Sequence, residues 1–253
     1  TVGDGPGGSA DTWTKLSSTA TAVTDDVAPY GQYDPDNPPT SCAVCDEWTD
    51  DTATQTWAWE NQESSTETLT MDGALLVHPA DTTGLAVRYL TGPDGSSGDF
   101  VITTKVNIKA VTSSNFAGIF LLATGTAASP TLLHTCAVVA MSVDAARVQH
   151  QSWTSYTSAA TTLGTFTAGM VSIKAPQAIY LQLRYDNSTK IATCWASFSG
   201  RVFKSTGNTT TFAAHPTTTM GVAVAAFNAA EEGGGLFEFW RARTDANRNL
   251  AGE

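Results

Sequence analysis

The side chains able to do chemistry in this chain are few and scattered. His78, His134, His150 and His215 stand far apart, without the HExxH spacing that gathers two histidines around zinc on one helix face. His150 lies in the most polar surroundings of the four and reads as a surface histidine. Two carboxyl groups held on one strand face would suit glycoside chemistry. Glu60, Glu63 and Glu67 cluster but lack the alternating spacing that would align them. Glu231 and Glu232 precede three glycines and read as a loop tip, with Gly233–Gly235 a flexible loop. Glu238 lies between Phe237 and Phe239, so it points away from both and reads as solvated. No Gly-x-Ser-x-Gly, Walker A or Gly-x-Gly-x-x-Gly motif occurs, and Gly95-Ser-Ser-Gly98 reads as a turn. The expectation is a chain that does not catalyse.

The cysteines offer little more. Cys42 and Cys45 have CxxC spacing, but Cys136 and Cys194 lie singly within apolar runs. All four read first as buried structural thiols, since free cysteine packs as a small hydrophobe. A Cys42–Cys45 disulfide is the next reading, and zinc the one after. Asp34-Pro-Asp-Asn, Asp50-Asp51 and Asp94/Asp99 supply oxygen ligands of the kind calcium takes, yet none forms an EF-hand loop, and acidic turns are ordinarily turns. No cofactor is expected.

The elements that must carry these residues read as strands. Of 253 residues, 42% are hydrophobic and 15% charged, with threonine, serine, alanine and glycine making up the difference. Threonine is β-branched and suits a pleated, half-wet surface. The net charge of −11 leaves no basic footprint for nucleic acid or anionic lipid, and no run approaches the roughly 20 apolar residues of a helical membrane span.

Residues 1–50 differ from the rest. A glycine-rich leader without signal-peptide character precedes Pro29-Tyr-Gly-Gln-Tyr-Asp-Pro-Asp-Asn-Pro-Pro39, dense in turn formers. This region reads as an extended arm that docks on a neighbouring subunit. From residue 51 to 245 the pattern becomes regular, and 246–253 is a tail. Asp99–Lys109 alternates cleanly, with Phe100, Ile102, Thr104, Val106 and Ile108 on one side. Phe116–Ala123 is apolar on both faces and reads as central. Asp72-Gly73 and Asp186-Asn-Ser-Thr189 mark hairpins. About a dozen such strands, separated by turn signals, predict an all-β, two-sheet antiparallel sandwich.

The order of the pieces resembles the concanavalin A-like lectin/glucanase superfamily. The matching segments are the Trp57/Trp59 strand, Gly73-Ala-Leu-Leu-Val, Asp99-Phe-Val-Ile-Thr-Thr-Lys-Val, Ala117-Gly-Ile-Phe-Leu, Leu181-Gln-Leu-Arg-Tyr, Cys194-Trp-Ala-Ser-Phe-Ser-Gly, Met220-Gly-Val-Ala-Val and Phe237-Glu-Phe-Trp. The resemblance spans about residues 55–243 and implies a jelly-roll sandwich, similar to those in tailed-phage virion proteins and to accessory domains of glycoside hydrolases. It also implies an aromatic platform for sugar on the concave sheet. The candidates are Trp153, Tyr156, His150 and Tyr185, with Tyr180 and Trp195 beside them. Trp57, Trp59, Trp195 and Trp240 sit in alternating patterns and read as core. Trp153 and Tyr156 lie in the polar Gln149-His-Gln-Ser-Trp-Thr-Ser-Tyr156 stretch and read as exposed. The Glu-x-Asp-x-x-Glu strand of the related glucanases is missing.

These readings combine into one expectation. The chain is a structural or adhesion protein at the surface of a virus particle, outside the cell. It would assemble as a homo-oligomer with other virion subunits through its arm and hold host-surface glycan. A secreted carbohydrate-binding module is the alternative, and a glycosidase with an unrecognised carboxylate pair comes third.

Overall fold

A computed structural model describes residues 2–4, 10–11, 44–48, 53–80, 84–108, 115–142, 145–158, 161–165, 178–227 and 231–244. The tail 246–253 and most of the expected arm, including Cys42 and the proline-dense segment, lie outside them. Among the described residues all the elements are strands. Val2–Asp4 (β1) and Ala10–Asp11 (β2) pair as a small ribbon.

Two antiparallel sheets then pack face to face. The seven-stranded sheet runs Thr161–Thr165 (β12), Ala145–Trp153 (β11), Ser129–Ser142 (β10), Asn115–Thr126 (β9), Thr219–Ala226 (β16), Ala86–Thr91 (β7) and Ala58–Glu60 (β4). The eight-stranded sheet runs Lys204–Thr211 (β15), Ile191–Ser197 (β14), Ile179–Asp186 (β13), Phe100–Ile108 (β8), Gly233–Thr244 (β17), Gly73–His78 (β6) and Thr66–Thr70 (β5), with Val44–Asp46 (β3) joined to β17. The expected sandwich is the observed one. Its boundary begins earlier than residue 50, because β3 pairs Ala242, Arg241 and Trp240 and so belongs to the sandwich.

The core sits between the sheets and follows the alternation. Phe100, Ile102, Val106 and Ile108 of β8 face Ala117, Ile119 and Leu121 of β9, all buried. Burying such side chains contributes about 1.5–3 kcal/mol each. Trp48, Trp57 and Trp240 pack at one end of this core, with ring centroids 5.3 Å apart for Trp48–Trp57 and 5.5 Å for Trp57–Trp240. The buried Asp46 carboxylate orders them: Trp57 Nε1 donates to it at 2.8 Å, as do the backbone N–H groups of Trp48, Thr54 and Gln55 at 3.1–3.2 Å.

An ion pair and a disulfide are among the ties that hold the sheets together. Glu67 of β5 and Arg88 of β7 form an ion pair across one edge, with the guanidinium over the Trp59 ring. Near the other edge a disulfide joins Cys136 of β10 to Cys194 of β14. This corrects the expectation of free thiols. Both cysteines are buried, but they face inward from opposite sheets and meet. Cys45 is disulfide-bonded as well.

Gly233–Gly235 is also corrected from loop to strand. These residues open β17 and pair with His78, Val77 and Leu76 of β6. Gly234 has φ +134°, and a Cβ there would fall 2.0 Å from the Leu76 carbonyl oxygen, so only glycine permits the approach. Asn115 clamps it, accepting from Gly234 N at 2.6 Å and donating to Gly234 O at 3.1 Å.

Candidate functional site

Strand alternation decides where the polar stretch of β11 points. Gln149, Gln151 and Trp153 pair with Ala137, Thr135 and Leu133 of β10 and face outward from the seven-stranded sheet. His150 lies between them in sequence and faces the opposite way, into the sandwich, fully buried. It lies beside His134, with ring centroids 5.6 Å apart and the rings tilted. His134 is buried too, and burial, followed by the nearby His150, lowers its pKa to about 3, so it is a neutral core residue at ordinary pH. The surface role expected of His150 is thereby overturned.

Trp153 and Tyr156 do lie on the outer face, but they are not exposed: they retain 3% and 7% of their accessible surface. Trp153 meets Phe116 edge-on at 6.1 Å, stacks on Phe227 at 6.0 Å, and donates from Nε1 to Thr135 Oγ1 at 3.1 Å. Residues 154–158 form a strap that leaves β11 and reaches the start of β7, where Leu85 N donates to Tyr156 O at 2.9 Å. Gly84 leaves room for this crossing, since a Cβ there would come within 2.9 Å of the same oxygen. The Tyr156 hydroxyl donates to Ala127 O at 2.6 Å, and burial raises its pKa. Polar neighbours in the sequence suggested exposure, yet each ring found an apolar bed and a hydrogen-bond partner.

Tyr185 is elsewhere altogether. It faces inward from β13, fully buried, against Phe100 at 5.0 Å and Phe212 at 5.9 Å. Its hydroxyl lies 2.8 Å from His215 Nδ1. Burial, with help from Asp186, Asp99 and Asp94, pushes its pKa up to about 12. Tyr180 and Trp195 stand on the outer face of the eight-stranded sheet, so Trp195 is not the core residue its alternation suggested; the Arg184 guanidinium lies 3.9 Å from its ring centroid. The structure therefore brings Trp153 and Tyr156 to one face and separates both from His150 and Tyr185.

What the outer face of the seven-stranded sheet offers instead is a polar row beside an aromatic patch. Arg147, Gln149 and Gln151 follow one another along β11. With the Gln149 amide turned to suit its neighbours, its oxygen accepts from Arg147 at 2.6 and 2.7 Å and its nitrogen faces the Gln151 amide at 3.0 Å. Thr165 and Thr162 of β12 flank the row, half-buried and exposed respectively. Phe227 just beyond β16, 40% exposed, presents the open side of the stack on Trp153. Sequence reasoning missed Phe227 and the row. The alternation of 147, 149, 151 and 153 was the available signal for the row. Among the seven strands Glu60 is the sole carboxylate. Of the acidic turns, Asp94 is engaged by Ser96 and Ser97, and Asp99 accepts from Asn187 N at 2.8 Å, while Asp34, Asp50 and Asp51 lie outside the described residues.

No protein-family model matches the sequence, and no curated protein does. Solved structures do resemble the fold. The GH43 protein BlXynB from Bacillus licheniformis superposes with a TM-score of 0.58 at 14% identity, over 83% of this chain and 42% of that one. Lectin II from Ulex europaeus superposes with a TM-score of 0.50 at 11% identity, over 81% of this chain and 100% of the lectin. The fold is a lectin-like jelly-roll sandwich. A xylan β-1,4-xylosidase from Bacillus halodurans C-125 matches over 83% of this chain and 40% of its own, with a TM-score of 0.54 and 13% identity. The sandwich thus spans less than half the length of these hydrolases and the whole of the lectin.

Proposed function

We propose that the chain is a non-enzymatic glycan-binding sandwich that works outside the cell, with the outer face of the seven-stranded sheet as its binding face. The observation that carries the reading is the Arg147–Gln149–Gln151 row beside the Trp153–Phe227 stack. Amide and guanidinium groups hydrogen-bond to sugar hydroxyls, and an aromatic ring stacks on the apolar face of a pyranose. The likeness to a lectin over its whole length supports the same reading. Among the strands of that sheet one carboxylate occurs, which agrees with binding without turnover. The buried disulfide suits an oxidising compartment.

Two settings fit such a module. A virus-particle adhesin agrees with the charge-poor, threonine-rich composition. An accessory module of a polysaccharide-degrading system is favoured by one further observation, the partial span of the hydrolase chains. Mass by light scattering separates them, an oligomer speaking for the particle and a monomer for the module. The binding reading itself is tested by calorimetry against a panel of oligosaccharides, with release of reducing ends followed in parallel. Binding that weakens about tenfold in Phe227→Ala, without sugar release, is expected. A panel with no binder would overturn the proposal, and steady sugar release would overturn its non-enzymatic part.

A further inference from the structure

On the other sheet Arg241 pairs with Glu47 at 2.5 Å, Lys105 pairs with Glu238 at 2.6 Å, and Arg184 lies over the Trp195 ring at 3.9 Å, while Arg88 holds Glu67 between the sheets. Arg147 is different. It is half-buried, its guanidinium is met by the neutral Gln149 amide, and among the described residues no ion pair involves it. The one carboxylate on the strands of its sheet, Glu60, lies five strands away, about 24 Å at the usual strand spacing, well beyond screening distance. In a chain of net charge −11, a half-buried cation with no carboxylate partner among the described residues attracts anions, and guanidinium receives carboxylate or sulfate through two parallel hydrogen bonds.

A second observation lies four residues along the same strand. Gln151 is 9% exposed, and its amide oxygen is buried without a partner. Its other amide atom faces the Gln149 amide at 3.0 Å. Turning the amide merely exchanges a wanting acceptor for a wanting donor, so either way one polar atom is unanswered. Such an atom costs stability until something bonds to it. The row thus presents the guanidinium and an unsatisfied amide on either side of the single Gln149 amide, which meets Arg147 at 2.6 Å and lies 3.0 Å from Gln151.

From this we infer that the face selects acidic saccharides, with the sugar carboxylate or sulfate seated on Arg147 and a neighbouring hydroxyl meeting Gln151. The inference rests on the glycan-binding reading and sharpens it to a ligand class.

The test uses the full chain and calorimetry with three oligosaccharides of equal length, one of uronic acids, one sulfated and one neutral, alongside inorganic sulfate. At least one acidic oligosaccharide should bind about tenfold or more tightly than the neutral one, and lose affinity as salt rises. Which one does so names the anion. Arg147→Ala should remove that preference while leaving the melting temperature within a few degrees, and Arg147→Lys should restore part of it. Gln151→Leu should weaken binding without altering the preference for acid. Equal affinity for neutral and acidic ligands would overturn the inference and leave the glycan-binding reading standing. So would an acid preference that survives Arg147→Ala, or sulfate alone binding as well as the sulfated sugar. Failure of all three sugars would overturn both.

Discussion

The outer face of the eight-stranded sheet and that of the seven-stranded sheet use their cations in opposite ways. On the former, Lys105, Arg184 and Arg241 lie over the rings of Tyr180, Trp195 and Phe239 at 5.6, 3.9 and 4.8 Å. Two of them hold a carboxylate as well. On the latter, the aromatic rings pack on one another, and Arg147 meets only an amide. Both faces bury large side chains, yet one invests its charge in holding the fold and the other leaves its charge available. Burial alone does not distinguish structure from function here. The partner of each cation does.

Substitutions can sharpen or break that contrast. The largest effect is expected from Trp153→Ala, which empties a buried site against Phe116 and leaves Thr135 Oγ1 without its donor. A loss of about 3–5 kcal/mol in urea unfolding is expected. A loss below about 1 kcal/mol would mean that the aromatic patch is not a core at all. Replacing Cys136 and Cys194 together by alanine should cost about 2–4 kcal/mol, since the bridge closes 58 residues of chain. Arg184→Ala should cost about 2 kcal/mol, through lost stacking and packing, with no change in sugar binding. Arg147→Ala should do the reverse, removing the preference for acidic sugar at a smaller cost in stability of about 1 kcal/mol, the loss of the Gln149 acceptor's partner. If the two arginines behaved alike, the contrast between the faces would fall.

Acid probes the interior that both faces share. His134, with a pKa of about 3 in the fold, stays neutral where an unfolded histidine, near 6.5, takes up a proton. The unfolded chain therefore binds more protons between these values, so stability is full above about pH 6.5 and declines as pH falls toward 3. By pH 4.5 the loss from this residue is about 2–3 kcal/mol. His134→Phe, placing a ring among the same neighbours, should flatten that part of the profile. An unchanged profile would assign the acid sensitivity to other groups.

Much of the fold was legible because alternation and turn signals are local. Phe100–Ile108, Phe116–Ala123 and the hairpin at Asp186–Thr189 read correctly from their own residues. The site was not legible in the same way. His150 and Gln151 are both polar neighbours in one strand, and only the pleat sends one to the core and the other outward. Trp153 and Tyr156 looked exposed because their sequence neighbours are polar, but burial depends on partners distant in sequence: Phe227 is 74 positions from Trp153, and Leu85 is 71 from Tyr156. Cys136 and Cys194 met for the same reason, each inward-facing on a different sheet. Gly234 was misread as flexible because a glycine's freedom and a glycine's lack of bulk look alike in a sequence, and here the lack of bulk is what β17 uses.

The Cys136–Cys194 bridge also sets how the molecule would behave under tension. A pull applied at the two ends passes from β10 to β14 through the sulfur atoms, and the strands between never enter the load path. The 58-residue separation corresponds to about 200 Å of extended chain that stays folded away until the bond is reduced. A tether that binds a surface on one side and an anchor on the other would lengthen in two stages, the second of them under chemical control.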